Sequence, residues 1–295
     1  MLGLSFAAPL VRLSSAPALV IATWRLAFSL VIVAAALLLT GSWRKWQALA
    51  RGELLIACIG GALLAFHFWS WNASLHFTSV AASVSLVNLQ PAFIAIISAR
   101  WLGERPTSRQ WIGIAVAICG ALVVGLADVP GGVSGLGTAL TASAGTTGGN
   151  ASGRALFGDL LAIIGALTAT GYYLIGRRIR QKLDLWPYVG LVYGAAFFTL
   201  LILVAVTGAP VLPQPPREFG IFAALAVGPM LLGHTGMNWA LGHLPAYIVN
   251  LTVLGEPIGA TLLAALVPGI GEVPGLGVLA GGAIVLLGVY LTARK

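Results

Sequence analysis

The chain has 295 residues, of which 59% are hydrophobic and only 8% are charged, and its mean hydropathy is +0.97. Soluble domains carry about 25% charged residues, so this composition excludes an ordinary soluble protein and indicates an integral membrane protein. The formal charge of +8 does not indicate nucleic acid, because the basic residues lie in short segments between apolar runs. We therefore expect the lipid bilayer, and no nucleic acid, as a partner.

Apolar runs that could cross a bilayer follow one another along the whole chain. A spanning helix needs about 20 mainly apolar residues. The sequence predicts an all-α membrane protein with ten transmembrane helices. Their predicted ranges are 1–14, 17–40, 53–76, 79–101, 108–127, 156–178, 187–208, 218–241, 245–267 and 274–293.

The first of these helices is short. At 1.5 Å per residue it covers about 20 Å of a hydrocarbon core of about 30 Å. We expect this helix to be truncated, with its native beginning further upstream. It does not read as a signal peptide, because it has no basic segment before the apolar run and leads straight into another span.

One connection is long and polar. Residues 128–155 are rich in Gly, Ser and Thr, which predicts a flexible, solvated linker. The linker divides the chain into a first five-helix unit, residues 1–127, and a second, residues 156–295. In this topology, twelve Lys and Arg residues lie on one side of the membrane and three lie on the other. The excess predicts cytoplasmic N- and C-termini and a periplasmic linker.

The two units repeat one another in sequence. A shift of 167 residues places Gly61 on Gly228 and His67 on His234. Because each unit has an odd number of helices, the second enters the membrane from the opposite side, so the repeats are inverted. Inverted repeats are typical of secondary transporters, whose site lies near the midplane between the halves.

Polar and aromatic side chains at helical spacing indicate a substrate site. His67 shares a helix face with Trp71, and His234 shares one with Asn238. Such a face suits a substrate with an apolar body and polar ends, although these groups could instead only bond neighbouring helices. The candidate substrate-binding residues are His67, Trp71, Gln90, His234, Asn238, Trp239 and Tyr173.

Glu256 is the candidate for proton coupling. An acidic residue near the centre of a span costs about 3 kcal/mol on insertion, so it usually faces the protein interior or a water-filled cavity. The repeat counterpart of Glu256-Pro257 is Gln90-Pro91, which keeps the shape without the charge. Pro91 and Pro257 are candidate hinges, because proline removes a backbone donor. The alternative role of Glu256 is a structural ion pair with Arg25.

Other features predict less. The four His residues lack metal-ligand spacing, so we expect no metal and no cofactor. Glycine faces on the fifth and tenth predicted helices indicate close helix packing or a dimer contact, and we expect a monomer or weak dimer.

Four motifs resemble the EamA domains of the drug/metabolite transporter superfamily. They are residues 17–25 (PALVIATWR), 88–93 (NLQPAF), 101–113 (WLGERPTSRQWIG) and 254–257 (LGEP). The resemblance covers both halves, and within the superfamily the chain is similar to the bacterial exporters of aromatic and other neutral amino acids. It implies a bacterial inner-membrane protein whose path runs between the third, fourth, eighth and ninth helices, with help from the first and sixth.

The sequence therefore predicts a secondary active exporter of small metabolites, most of all aromatic or neutral amino acids, working by alternating access. Alternatives are a broad exporter of drugs or cationic compounds, a carrier of sugar nucleotides and an intramembrane enzyme. No P-loop is present, and no nucleophile and base lie together at one depth. We therefore expect no enzymatic activity.

Overall fold

The computed structural model describes residues 2–78, 83, 86–127, 149–256, 259 and 276–293. Every regular element in these ranges is a helix, which confirms the all-α prediction. In the first half the helices are α1 (Leu2–Ser5), α2 (Ala7–Leu13), α3 (Ala18–Thr40), a 3₁₀ helix (Ser42–Ala48), α4 (Arg51–Ser74), α5 (Gln90–Trp101) and α6 (Ser108–Ala127).

The described part of the second half also consists of helices. Its helices are α7 (Gly149–Arg180), α8 (Leu185–Thr207), α9 (Pro216–Leu225), a π-helix (Ala226–Thr235), α10 (Gly236–Leu241), α11 (Ala246–Leu251), a second 3₁₀ helix (Thr252–Gly255) and α12 (Leu276–Ala293).

Five helical segments in the described part of the chain are long and apolar enough to cross a membrane. Two of them, α3 and α8, end where Gly41 and Gly208 take left-handed backbone angles, with φ of +62° and +66°. Glycine adopts this conformation without a Cβ penalty, which is why it ends helices so often. The five segments are Ala18–Thr40, Arg51–Ser74, Leu156–Arg180, Leu185–Thr207 and Pro216–Leu241.

Several boundaries differ from the sequence prediction. The helix α7 begins at Gly149, so the last residues of the predicted linker 128–155 are helical, and residues 128–148 lie outside the described part. The fourth predicted helix, 79–101, is interrupted by a turn at Asn88 and Leu89. Pro91 follows in the first turn of α5, where its missing N–H has no helical acceptor to lose. Pro257, the other predicted hinge, lies outside the described residues.

The predicted helix 218–241 is not a uniform α-helix. Its central turns, Ala226–Thr235, are wound as a π-helix that contains Pro229. Proline has no N–H, so a regular α-helical ladder cannot continue through this position. Within the wide turns, the Thr235 hydroxyl donates to the carbonyl of Met230, five residues earlier, at 3.2 Å. The π-helix thus holds His234 on an irregular stretch of backbone.

Glycine lets α6 and α12 approach each other at backbone distance. A Cβ on Gly113 would lie 2.8 Å from the carbonyl oxygen of Gly288, and one on Gly120 would lie 2.5 Å from the nitrogen of Val285. The glycine faces that the sequence assigned to close packing or to a dimer are therefore used inside one chain. They join the first half of the protein to the second.

We expect Gly288→Ala to destabilise the protein. The added Cβ would lie 2.3 Å from the nitrogen of Ala117, so α12 must move away from α6. Overpacking of this kind costs about 1–3 kcal/mol and can be measured by thermal unfolding in detergent micelles. Gly194→Ala is the matched control, because nothing lies within 4 Å of a Cβ there. Equal unfolding temperatures for the two variants would contradict this packing.

Candidate functional site

A small cavity, partly open to the outside, lies between the two halves of the chain. Helices of both halves contribute to its wall, and most of the wall is apolar or aromatic. The lining residues are Leu4, Ala7, Arg25, His67, Phe68, Trp71, Val87, Asn88, Gln90, Tyr173, His234, Val253 and Glu256.

The cavity contains a side chain of each charge. Arg25 lies on α3 and is only 1% exposed, with its guanidinium carbon 4.1 Å from the centre of the Phe68 ring. Glu256 follows the second 3₁₀ helix and lines the same cavity. The three ion pairs found among the described residues include neither of them. The structural ion pair offered as the alternative role of Glu256 is therefore not formed.

The two repeat-related histidines meet at this cavity. The ring centres of His67 and His234 are 6.2 Å apart, and the Phe68 ring stands edge-on to His234 at 5.1 Å. His67 Nδ1 is 2.9 Å from the carbonyl oxygen of Gly165, and His234 Nδ1 is 3.1 Å from the hydroxyl of Tyr173. Both partners lie on α7, so a single helix of the second half holds the two rings.

A buried polar network lies behind this wall. Asn238 Nδ2 donates to the hydroxyls of Tyr172, at 2.6 Å, and Tyr193, at 3.3 Å. The Tyr193 hydroxyl in turn lies 2.9 Å from Thr235 Oγ1, on the π-helix. The network ties the π-helix and α10 to α7 and α8, and it supports the position of His234.

Several polar atoms on the cavity wall have no hydrogen-bond partner. They are Nε and Nη2 of Arg25, Nε1 of Trp71, and both amide atoms of Asn88. Buried polar groups are almost always paired in folded proteins, so several unpaired ones on residues that line one cavity are consistent with a place for a ligand. Gln90 differs, because its amide donates to Asn250 Oδ1 and joins α5 to α11.

The structure brings most of the predicted site residues together. His67, Trp71, Gln90, Tyr173, His234 and Glu256 all line the cavity. Asn238 is buried one turn beyond His234 and contacts the tyrosines behind the wall. Trp239 lies elsewhere: it is 56% exposed and packs on His243 with ring centres 4.8 Å apart.

Seven lining residues were not among the predicted site residues, and three of them, Arg25, Phe68 and Asn88, are charged, aromatic or polar. Phe68 and Asn88 gave no signal, because an aromatic residue and an amide are common in apolar helices. Arg25 did give one: it is a charged residue deep within a predicted span. In the sequence, however, Arg25 was assigned only the role of a structural partner for Glu256.

Metal chemistry finds no support in the described ranges. No group of three or more His, Cys, Asp or Glu side chains in them is placed to hold a metal ion.

These features define a multi-pass helical membrane protein with a small cavity, lined by polar and aromatic side chains, between its halves. The sequence model of the EamA-like transporter family matches residues 1–126 and 156–294, so the chain belongs to this family. An uncharacterized transporter of Archaeoglobus fulgidus is 23% identical over 300 residues, which cover 99% of this chain and 95% of the relative. One crystal structure of a protein shares the fold, with a TM-score of 0.72 at 18% identity, covering 98% of this chain and 91% of that one. The protein is accordingly a membrane transporter.

We expect Tyr173→Phe to destabilise the protein. The change removes the hydroxyl that lies 3.1 Å from His234 Nδ1 and 3.2 Å from Met237 Sδ. Leaving a buried ring nitrogen without this partner costs about 1–3 kcal/mol, measurable by thermal unfolding in detergent. Tyr188→Phe is the control, because the Tyr188 hydroxyl is buried without a partner, so its removal should be neutral or stabilising. The opposite order of stability would show that the Tyr173 contact does not hold His234.

Proposed function

We propose that the protein is a secondary active exporter of small metabolites, with aromatic or neutral amino acids as substrates. It works by alternating access across the bacterial inner membrane. The observation that carries this proposal is the presence of Arg25 and Glu256, unpaired, in one cavity with aromatic walls. An amino acid combines a carboxylate, an ammonium group and a side chain, and the cavity has a complement for each.

The proposed architecture has ten transmembrane helices in two inverted five-helix repeats. Its support is that the family model matches two separate stretches of similar length and that His67 and His234 correspond in both sequence and place. In this architecture both termini are cytoplasmic, and the substrate site lies where the repeats face each other.

A broad exporter of cationic drugs is the second candidate. The aromatic wall and Glu256 favour it, because a cation binds well to carboxylates and aromatic faces. Arg25 opposes it, since a buried guanidinium in the same cavity repels a ligand with net positive charge. Family membership favours either transporter over an intramembrane enzyme.

Transport of phenylalanine into inverted membrane vesicles tests the proposal directly. Vesicles that contain the protein should accumulate radiolabelled phenylalanine faster than vesicles that lack it. The rate should rise when the vesicle interior is made acidic. If no aromatic amino acid is transported, the substrate assignment is wrong.

Glu256→Gln tests the proton-coupling role. The titratable groups that line the cavity together with Glu256 are Arg25, His67, His234 and Tyr173. The amide keeps the shape, as Gln90 does in the other repeat, but takes up no proton. We expect the variant to fold and to carry phenylalanine with a rate that no longer depends on the pH gradient. Asp184→Asn, an exposed carboxylate outside the cavity, should keep the dependence; coupling that survives in Glu256→Gln would refute the role.

Three ion pairs join the two halves at the end that we assign to the cytoplasm. Lys45 pairs with Asp184 and Glu53 pairs with Lys182, and these two pairs are largely exposed. The third joins Glu104 and Arg177 at 2.5 Å and is mostly buried. Glu104 also accepts from the backbone nitrogen of Ala246 at 2.9 Å, and Arg177 donates to the carbonyl of Leu241 at 2.7 Å. Opening this end requires the third pair to separate.

We expect Glu104→Gln to favour the state that is open to the cytoplasm. A partly buried ion pair with these backbone contacts is worth about 1 kcal/mol, which corresponds to an approximately fivefold population shift. The measurement is labelling of Val253→Cys, in the cavity wall, by an impermeant thiol reagent added to inverted vesicles in a background without Cys58 and Cys119. Glu53→Gln, whose partner is exposed, is the control with a smaller effect. Unchanged or slower labelling in Glu104→Gln would rule out this gate.

A further inference from the structure

We propose that the Nε–Nη2 edge of Arg25 is a binding site for the substrate carboxylate, which it grips side-on with two parallel hydrogen bonds. The inference rests on the proposed function, because it assigns the part of the cavity that would recognise an amino acid. It also narrows the substrate class to small amphipathic monocarboxylates.

The two unpaired nitrogens of Arg25 are the ones that form a fork. Nε and Nη2 are the two buried guanidinium nitrogens recorded without a partner. Their N–H groups point the same way from one edge of the planar group. This spacing matches the two oxygens of a carboxylate, and paired, charge-assisted bonds of this kind are among the strongest in proteins.

Phe68 packs against the guanidinium group of Arg25. Its ring covers one face of the guanidinium at 4.1 Å, which is a favourable cation–π contact in a site removed from water. A guanidinium held by its face keeps its edges available for hydrogen bonds in its own plane. A guanidinium restrained in this way loses less conformational freedom on binding a carboxylate than a mobile charge would.

The rest of the cavity completes the recognition of an amphipathic acid. Glu256 lines the same cavity and can face an ammonium group, and Trp71 and Asn88 supply further unpaired polar atoms. His67, Phe68 and Tyr173 supply aromatic surface. Among the described lining residues Arg25 is the only Lys or Arg, and it shares the cavity with an acidic residue, so a singly charged carboxylate fits better than a doubly charged phosphate.

Four probes separate these chemistries. Phenylalanine has both charged groups, phenethylamine lacks the carboxylate, 3-phenylpropionate lacks the amine, and phenyl phosphate replaces the carboxylate with a dianion. Binding to the full-length protein in detergent is followed by thermal shift and by microcalorimetric titration. We expect phenylalanine and 3-phenylpropionate to bind, phenethylamine to bind at least tenfold more weakly than phenylalanine, and phenyl phosphate to bind more weakly than 3-phenylpropionate.

Two variants separate binding from structure. Arg25→Gln should lose at least tenfold in affinity for 3-phenylpropionate, and its unliganded form should be no less stable than the wild type because an unpaired buried charge has been removed. Arg25→Lys keeps a charge over Phe68 but has no fork, so it too should bind at least tenfold more weakly. Arg44→Gln makes the same change at an exposed position and should bind like the wild type.

Several results would overturn the carboxylate site. They are equal binding of phenethylamine and phenylalanine, full affinity for 3-phenylpropionate in Arg25→Gln or Arg25→Lys, or binding of neither carboxylate by the wild type. If Arg25→Gln does not fold, the Arg25→Lys result decides. Arg25-dependent binding of 3-phenylpropionate without phenylalanine transport would refute the proposed function and keep the site. Phenylalanine transport that is unaffected in both Arg25 variants would support the proposed function and refute the carboxylate site.

Discussion

Burying charge in an apolar interior is the constraint on which the centre of this protein depends. A guanidinium or a carboxylate deep in a membrane-spanning bundle is costly unless it meets water, a partner or a ligand. Arg25 packs on the Phe68 ring, and Glu256 lines the same cavity as Arg25. The two side chains do not form an ion pair with each other. Separate charges of opposite sign keep the cavity polarised. Direct pairing would have neutralised both groups and left little for a substrate to replace.

The irregular parts of the backbone collect around this cavity. Leu4 and Ala7 flank the break between α1 and α2, Asn88 lies in the turn before α5, and His234 lies in the π-helix. The described regular helices α6 and α12 contribute none of the lining residues and instead pack on each other through glycine. Unpaired backbone groups are tolerated at membrane depth only where protein or a cavity covers them. The molecule thus has a regular, tightly packed side and an irregular side that forms the site.

The positions of several helices could be predicted from the sequence, because membrane-spanning helices are recognisable by their length and apolar composition. The ranges predicted for α3, α6 and α8 agree with the structure within two residues, since glycine, proline and charged residues bound them. The π-helix could not be predicted, because a proline in an apolar run signals a break but not its form. The absence of Trp239 from the cavity wall has a simpler reason. Five residues along a helix from His234 correspond to a rotation of about 140°, so both side chains cannot face one cavity.

The two repeat-related histidines differ in a way that their sequence symmetry hides. The partner of His67 is a carbonyl oxygen, which can only accept, so Nδ1 must carry the proton and Nε2 of the neutral ring is left as an acceptor. The partner of His234 is the Tyr173 hydroxyl, which can either donate or accept. His67 is therefore locked in one tautomer, whereas His234 can move its proton from one ring nitrogen to the other and keep its hydrogen bond. The two histidines occupy equivalent places in the repeats. In His67 the donor and acceptor nitrogens of the ring are fixed, whereas in His234 they can exchange roles.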